Sequence, residues 1–313
     1  MWLFWQERLF VPASFRKKRI MEEISKKGKN KKTIYIGITL ICVIGLAVVL
    51  GIMLKDYIRE NKNQKYYEEL AKNTTQTEAS DTEIETETET EEPKDILEQL
   101  GITIPEKQID WSALYEENED IYAWIYIPGT VIDYPIVQHP TNNDYYVNHN
   151  LDGSSGRPAA IMTQNYNTKT FLDYNTLVYG HNMRNGTMFR DLHKFESEDF
   201  FAQNRYVYIY LPETVYVYEI FAEYTFGNEL ITVCYDFSSQ QGFQEYLDVV
   251  SSYKEKNGQF RDGMNITTDN HLLTLSTCTT PTDYNYRYLV QGVLVNDPTL
   301  TDDEIIRTVR SIQ

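Results

Sequence analysis

Leu272-Leu273-Thr274-Leu275-Ser276-Thr277-Cys278 is an apolar, β-prone run that delivers a single cysteine to its end. A strand that stops at a thiol holds it on rigid backbone at the rim of a sheet, where a substrate can reach it. Arg287 opens the next such run, Tyr288 to Val295, and the eight residues Thr279 to Tyr286 read as the loop between them. An antiparallel neighbour joined this way brings the guanidinium near the sulfur. A free cysteine is mostly un-ionised at neutral pH, so it needs a nearby base or cation to act as a nucleophile. About a hundred residues earlier, Tyr179-Gly180-His181-Asn182 supplies an imidazole behind the apolar Leu177-Val178-Tyr179. Glycine at 180 permits a sharp bend that exposes the ring. Cys278, His181 and Arg287 are therefore the candidate nucleophile, its proton partner and a permanently charged fork for an oxyanion or carbonyl. The opposing reading is a buried core thiol, a surface histidine and an idle surface arginine. The polar flanks Ser276, Thr277, Thr279 and Thr280 speak against a core position.

Outward from these strands, the rest of the body is also β-rich. Ala123 to Ile127 and Val131 to Val137 flank the turn signal Pro128-Gly129, and Thr176 to Tyr179 is a further short strand. Tyr206 to Leu211 and Val215 to Phe226 form a hairpin around Pro212-Glu213-Thr214. Phe243, Tyr246, Leu247, Val250 and Tyr253 recur at helical spacing, and Gly258 ends that helix. Asp110 caps a short helix, and Thr301-Asp302-Asp303-Glu304 is a capping-box signature for a last one. Many short strands with few helices predict a mainly β fold, a closed or nearly closed barrel with peripheral helices, over residues 95–313.

The N-terminal third has a different character. Residues Met1 to Lys32 carry ten Lys/Arg against three Glu, so the chain's −17 less this +7 leaves −24 on the remainder. Thr33 to Leu54 follows, 22 residues without a charge or a proline. At ~1.5 Å per residue, a helix of that length spans the ~30 Å hydrocarbon core. The basic flank keeps residues 1–32 in the cytoplasm and sends the rest outside. The apolar run exceeds a signal-peptide core and lacks a small-x-small cleavage site, so 33–54 is expected to be an uncleaved signal-anchor. Leu40-Ile41-Cys42 lacks the small residue of a lipoprotein site, and Met21 offers an alternative start. Asn73 to Glu92 holds seven Thr and eight Asp/Glu in 20 residues. Such a stretch cannot pack, and residues 55–94 are expected to be a disordered, acidic stalk.

The three cysteines do not make a disulfide framework, and a body of this size needs none. Cys234 is expected to be a structural thiol. His139, His149, His193 and His271 sit in polar, loop-like surroundings without metal-ligand spacing. No cofactor and no nucleic-acid partner are expected.

Four separated motifs resemble the sortase family, and class B in particular. They are Thr274-Leu275-Ser276-Thr277-Cys278 with Arg287 after it, and Tyr179-Gly180-His181-Asn182-Met183 with Asn185-Gly186-Thr187-Met188-Phe189. Trp124-Ile125-Tyr126-Ile127-Pro128-Gly129-Thr130 and Asp133-Tyr134-Pro135-Ile136-Val137-Gln138 complete the set. The resemblance covers about Trp111 to Val295. It implies the family's eight-stranded barrel and a membrane-anchored transpeptidase on the outer face of a Gram-positive-type cell. By the same resemblance, Cys278 forms a thioacyl intermediate with an NPxTG-like sorting signal, cut between Thr and Gly. The partners implied are secreted proteins bearing such a C-terminal motif, and an amine of a peptidoglycan precursor (lipid II) or of a pilin. His181 protonates the departing amine, Arg287 steadies the acyl oxygen, and Asn142, Ser276 and Thr277 contact the peptide. Thr279 and Thr280 stand where some relatives carry an acidic residue, so no third catalytic carboxylate is assigned. Asn228 to Phe237 replaces the expected specificity loop. Outside the family, the alternatives are a wall peptidase that releases to water and a tyrosine-rich surface adhesin. Papain-like peptidases place Cys before His, the reverse of the order here.

Overall fold

The structure, a computed structural model, describes residues 13–76 and 95–310 and divides into two units, Met1–Asn61 and Lys62–Gln313. The helix Ala13–Thr74 begins in the first unit, where it carries the apolar stretch Thr33–Leu54 with its side chains exposed. The helix is long and apolar enough to cross a membrane by length and composition.

The second unit is a closed barrel. Its eight strands are β1 (Ile121–Tyr126), β2 (Asp133–Val137), β3 (Ile161–Met162), β4 (Asn175–Tyr179), β5 (Tyr206–Tyr210), β6 (Val215–Gly227), β7 (Leu272–Thr280) and β8 (Asp283–Leu294). Around the barrel the order is β8-β7-β4-β3-β2-β1-β5-β6, and pairing of β6 with β8 closes the ring. A two-residue strand, Gln259–Phe260, adds to β6 at Ala222 and Glu223. The β4–β7 and β2–β3 pairs are parallel, and the others are antiparallel.

Closure removes the sheet edges that would otherwise be open to pairing. It also buries long β-branched and aromatic runs: Trp124, Ile125, Ile209, Tyr218, Ile220, Tyr224, Leu289 and Val290 are fully buried. Trp124 satisfies its indole N–H on Asp133 Oδ1 at 2.6 Å, and Lys107 neutralises that carboxylate at 2.8 Å. A buried polar chain pins β4, β7 and β8 in register. Gln291 Nε2 donates to Thr274 Oγ1 (2.8 Å) and Tyr246 Oη (2.7 Å), and Thr274 Oγ1 donates to Asn175 Oδ1 (2.7 Å). Gly129 turns β1 toward β2 with φ +76°, a conformation that favours glycine.

The expected helices are present as Trp111–Glu117, Gln240–Ser252 and Asp302–Val309, the last with both halves of its capping box formed. Three expectations need correction. Residues 279–286 are not a loop: β7 runs on to Thr280, and β8 starts at Asp283, because Thr and Tyr are good strand formers. Ser276 and Thr277, expected to be unsuited to a core, are both buried. Residues 62–74 of the expected stalk are helical and belong to the barrel unit. Tyr67 is buried there and donates to the Ala159 carbonyl (2.9 Å), while Asn63 Nδ2 donates to the Arg157 carbonyl (3.3 Å). Residues 77–94, most of the acidic low-complexity stretch, lie outside the described residues.

Candidate active site

Strand β7 carries Cys278 directly opposite Arg287 on β8, and Arg287 is in turn opposite Phe226 on β6. Braced on both sides, the guanidinium points its Nη1 at Cys278 Sγ, 3.6 Å away. The thiol is half-buried at the mouth of a cavity of about 310 Å³, whose wall includes His181, Arg287, Ser276 and Thr277. The three chemistry-bearing side chains, 181, 278 and 287, therefore share one cavity.

His181 stands one residue beyond Gly180, which ends the parallel run of β4 against β7 by donating its N–H to the Ser276 carbonyl (3.1 Å). Glycine is required at 180 by proximity. A Cβ there would lie 2.6 Å from Ile161 Cδ1 and from Phe189 Cγ. The His181 Nε2 lies 2.9 Å from the Val147 carbonyl, which can only accept, so Nε2 carries a proton. Burial pushes the imidazole below its ordinary pKa, and the Arg157 and Arg287 charges add to that. The Val147 hydrogen bond opposes them.

Ser276 and Thr277 line the cavity, and Thr277 Oγ1 is buried with no hydrogen-bond partner among the described residues. Asn142 does not line the cavity. Its side-chain oxygen accepts from Asp144 N (3.0 Å), and its N–H donates to His139 Nδ1 (3.0 Å), so it shapes the loop before the cavity wall at Asp144, Tyr146 and Val147. Cys234 is a free, exposed thiol at the end of the short helix Ile231–Cys234, and so not a structural one. That helix and Asn228–Leu230 before it form another side of the cavity through residues 228–231.

Sequence reasoning missed two residues at the site. Asn182 is buried, and its Nδ2 donates to the Cys278 carbonyl at 2.9 Å. His193, expected in a loop, lies in the 3₁₀ helix Phe189–Glu196, and its Nε2 is 3.0 Å from the same carbonyl. Phe189, Leu192 and Phe195 are buried at a spacing of three, which is the signal that marks this turn of helix.

A thiol, an imidazole and a guanidinium facing one cavity suit acyl capture and release. Comparison with known proteins agrees with that chemistry. A family model for the sortase domain matches residues 125–295, more than half of the chain. The chain belongs to the sortase family, whose members are cysteine transpeptidases acting on proteins with a sorting signal and on an amine acceptor. Within that family it is of class B. It is 36% identical to Sortase B of Listeria monocytogenes over 183 residues, 58% of this chain and 72% of that one. It is 27% identical to Sortase B of Staphylococcus aureus over 168 residues, 54% and 67% of the two chains. Among solved structures, Clostridium perfringens sortase B superposes with a TM-score of 0.52 at 32% identity, covering 59% of this chain and all of that one. Sortase B from B. anthracis in complex with AAEK1 gives 0.52 at 33% identity, covering 60% and 84%.

Proposed function

We propose that this sortase cleaves an NPxTG-like sorting signal between Thr and Gly and passes the acyl group to an amine. The Cys278 thiolate attacks the threonine carbonyl carbon. A C–S bond forms, the C–N bond breaks, and the departing amine takes its proton from the His181 imidazolium. An incoming amine then attacks the thioester and gives up a proton to the now neutral His181; a C–N bond forms, the C–S bond breaks, and the thiolate and imidazolium return. Arg287 steadies the acyl oxygen as negative charge develops on it. Since the Val147 carbonyl holds the Nε2 proton, Nδ1 is the nitrogen that exchanges a proton with the substrate. Ser276 and Thr277, on the cavity wall, contact the peptide; Asn142 acts on it only through the loop it shapes.

The observation that carries this reading is the 3.6 Å approach of Arg287 Nη1 to Cys278 Sγ within a cavity that His181 also lines. The acceptor is an amine of a peptidoglycan precursor such as lipid II, or of a pilin. The organisation that suits such substrates is a cytoplasmic segment 1–32, a membrane-spanning helix over 33–54, and a catalytic domain from about residue 95 outside the cell. The basic head and uncharged helix support that sidedness.

The test incubates the protein with a quenched NPxTG-type peptide, with and without an amine acceptor. Amine-dependent ligation is the expected result. Cleavage to water in both tubes would point instead to a peptidase, and silence in both would refute the NPxTG-like assignment.

A further inference from the structure

The Ser276 carbonyl points toward β4, because Gly180 N–H reaches it there. Carbonyl direction alternates along a strand, so the Cys278 carbonyl points to the same side. No β4 backbone awaits it. The parallel pairing of β4 with β7 ends at Tyr179–Ser276, and the chain then turns away through Gly180 and His181. The β7–β8 ladder is also irregular just past Cys278. On the β4 side the residue that bears the sulfur is held by side chains.

Two side chains fill the missing ladder position. Asn182 Nδ2 lies 2.9 Å from the Cys278 carbonyl oxygen, and His193 Nε2 lies 3.0 Å from it. The two nitrogens are themselves 2.9 Å apart. The orientation of the amide is fixed by chemistry: Arg190 Nη1, which can only donate, sits 3.1 Å from Asn182 Oδ1. The imidazole is fixed likewise, since Nδ1 donates to the Glu196 carboxylate at 2.6 Å and the ring stacks on Tyr288 with centroids 4.5 Å apart. In the neutral ring Nε2 accepts the second Asn182 N–H; in the imidazolium Nε2 donates to the Cys278 carbonyl. In the first state His193 holds the carbonyl through Asn182, and in the second it holds it directly.

Asn182 is the next residue after His181. Its bond to the Cys278 carbonyl therefore ties the segment bearing the imidazole to the residue bearing the sulfur. We infer that Asn182 and His193 are positioning residues, a clasp that sets the spacing between the His181 ring and Cys278 Sγ. This rests on the reading of Cys278 as nucleophile. Proton transfer and capture need near-contact geometry, and a displacement of ~1 Å costs on the order of 10² in rate.

The test uses the full chain in detergent, with three variants. Asn182→Asp keeps the acceptor for Arg190 but faces an oxygen toward the Cys278 carbonyl. His193→Gln places an amide N–H near the Nε2 position, whereas His193→Asn reaches only the Nδ1 position. Both lose the ring stacked on Tyr288, so their difference isolates the hydrogen bond. Alkylation by iodoacetamide is followed on the proteolytic fragment carrying Cys278, with the Cys234 fragment as an internal control; kcat and KM are measured on the sorting peptide. Asn182→Asp and His193→Asn are expected to slow Cys278 alkylation and kcat by at least about tenfold, with KM and Cys234 alkylation within about threefold of wild type. His193→Gln is expected to stay within about threefold of wild type throughout. Wild-type rates in Asn182→Asp, or equal losses in the Gln and Asn variants, would overturn the clasp. Should the wild type ignore the peptide while the alkylation differences hold, the substrate assignment fails and the clasp stands.

Discussion

Replacing Arg287 by lysine keeps a positive charge at the site and removes its shape. The guanidinium is a planar fork of donors, and one arm lies 3.6 Å from Cys278 Sγ. The register of β8 between β6 and β7 fixes the Cα of residue 287, so a shorter lysine cannot follow the substrate by moving backbone. Losing a donor to a developing oxyanion costs ~3–4 kcal/mol, or roughly 10²–10³ in kcat. A retained charge a few ångströms from the acyl oxygen returns part of this. For an effective dielectric of ~20 and a separation of ~5 Å the Coulomb energy is ~3 kcal/mol, and partial exposure cuts it to ~1 kcal/mol. Arg287→Lys is thus expected to lose about 30- to 150-fold in kcat, and Arg287→Met about 10²- to 10³-fold. Single-turnover acylation with the quenched peptide measures both, with KM followed separately. Wild-type turnover in Arg287→Lys would reduce Arg287 to a surface residue. Equal losses in both variants would show that charge without the fork contributes nothing.

Cys278→Ala should abolish the thioacyl adduct trapped on the chain while the thermal melting temperature holds, because the thiol lies at a cavity mouth and not in the core; surviving turnover would name another nucleophile. The imidazole of His181 is depressed by burial first and by Arg157 and Arg287 next, so Arg157→Gln should move its NMR titration midpoint upward. The linkage follows in sign: a folded-state value below the unfolded one leaves stability intact above about pH 6.5 and erodes it as pH falls through the folded midpoint. Melts between pH 7 and 5 should show a shallower loss in Arg157→Gln than in the wild type. Gly180→Ala would force a methyl within 2.6 Å of Ile161 and Phe189 and should destabilise the fold by ~1–3 kcal/mol, read by denaturant unfolding.

Strands long enough to show alternation or an apolar run were legible in the sequence. β5, β6 and the apolar part of β7 fall within a residue or two of their expected limits. β3 was not, since Ile161 and Met162 are only two residues and their strand character comes from the neighbours on either side. The helical stretch 62–74 was hidden for a different reason. Tyr66, Tyr67, Leu70 and Ala71 do recur at helical spacing, but Lys and Glu between them gave the segment the composition of a spacer. At the site, the thiol, imidazole and arginine were legible because each ends or opens an apolar run beside polar residues. The Asn182–His193 contact was not. It depends on β4 leaving β7 after Tyr179, an event of tertiary register that no local pattern records.

The same arginine bears on both partners of the proposed reaction. Its Nη1 lies 3.6 Å from the sulfur that takes the acyl group, and its charge disfavours the His181 imidazolium. Were the pair's resting population all that mattered, this placement would be self-defeating. Acid catalysis follows the strength of the acid as well as its abundance. A depressed imidazole is present less often in its charged form, yet it gives up its proton more readily to a departing amine. The arginine's gain comes when the substrate oxygen turns anionic, a charge that exists only near the transition state. Arg287 therefore raises the cost of the protonated resting site and lowers that of the acylation step. The Val147 carbonyl limits the first effect by holding the Nε2 proton at 2.9 Å. Loss of Arg287 should accordingly raise the His181 midpoint while lowering turnover. A variant in which both fell, or neither moved, would break the link between the arginine and the two groups it faces.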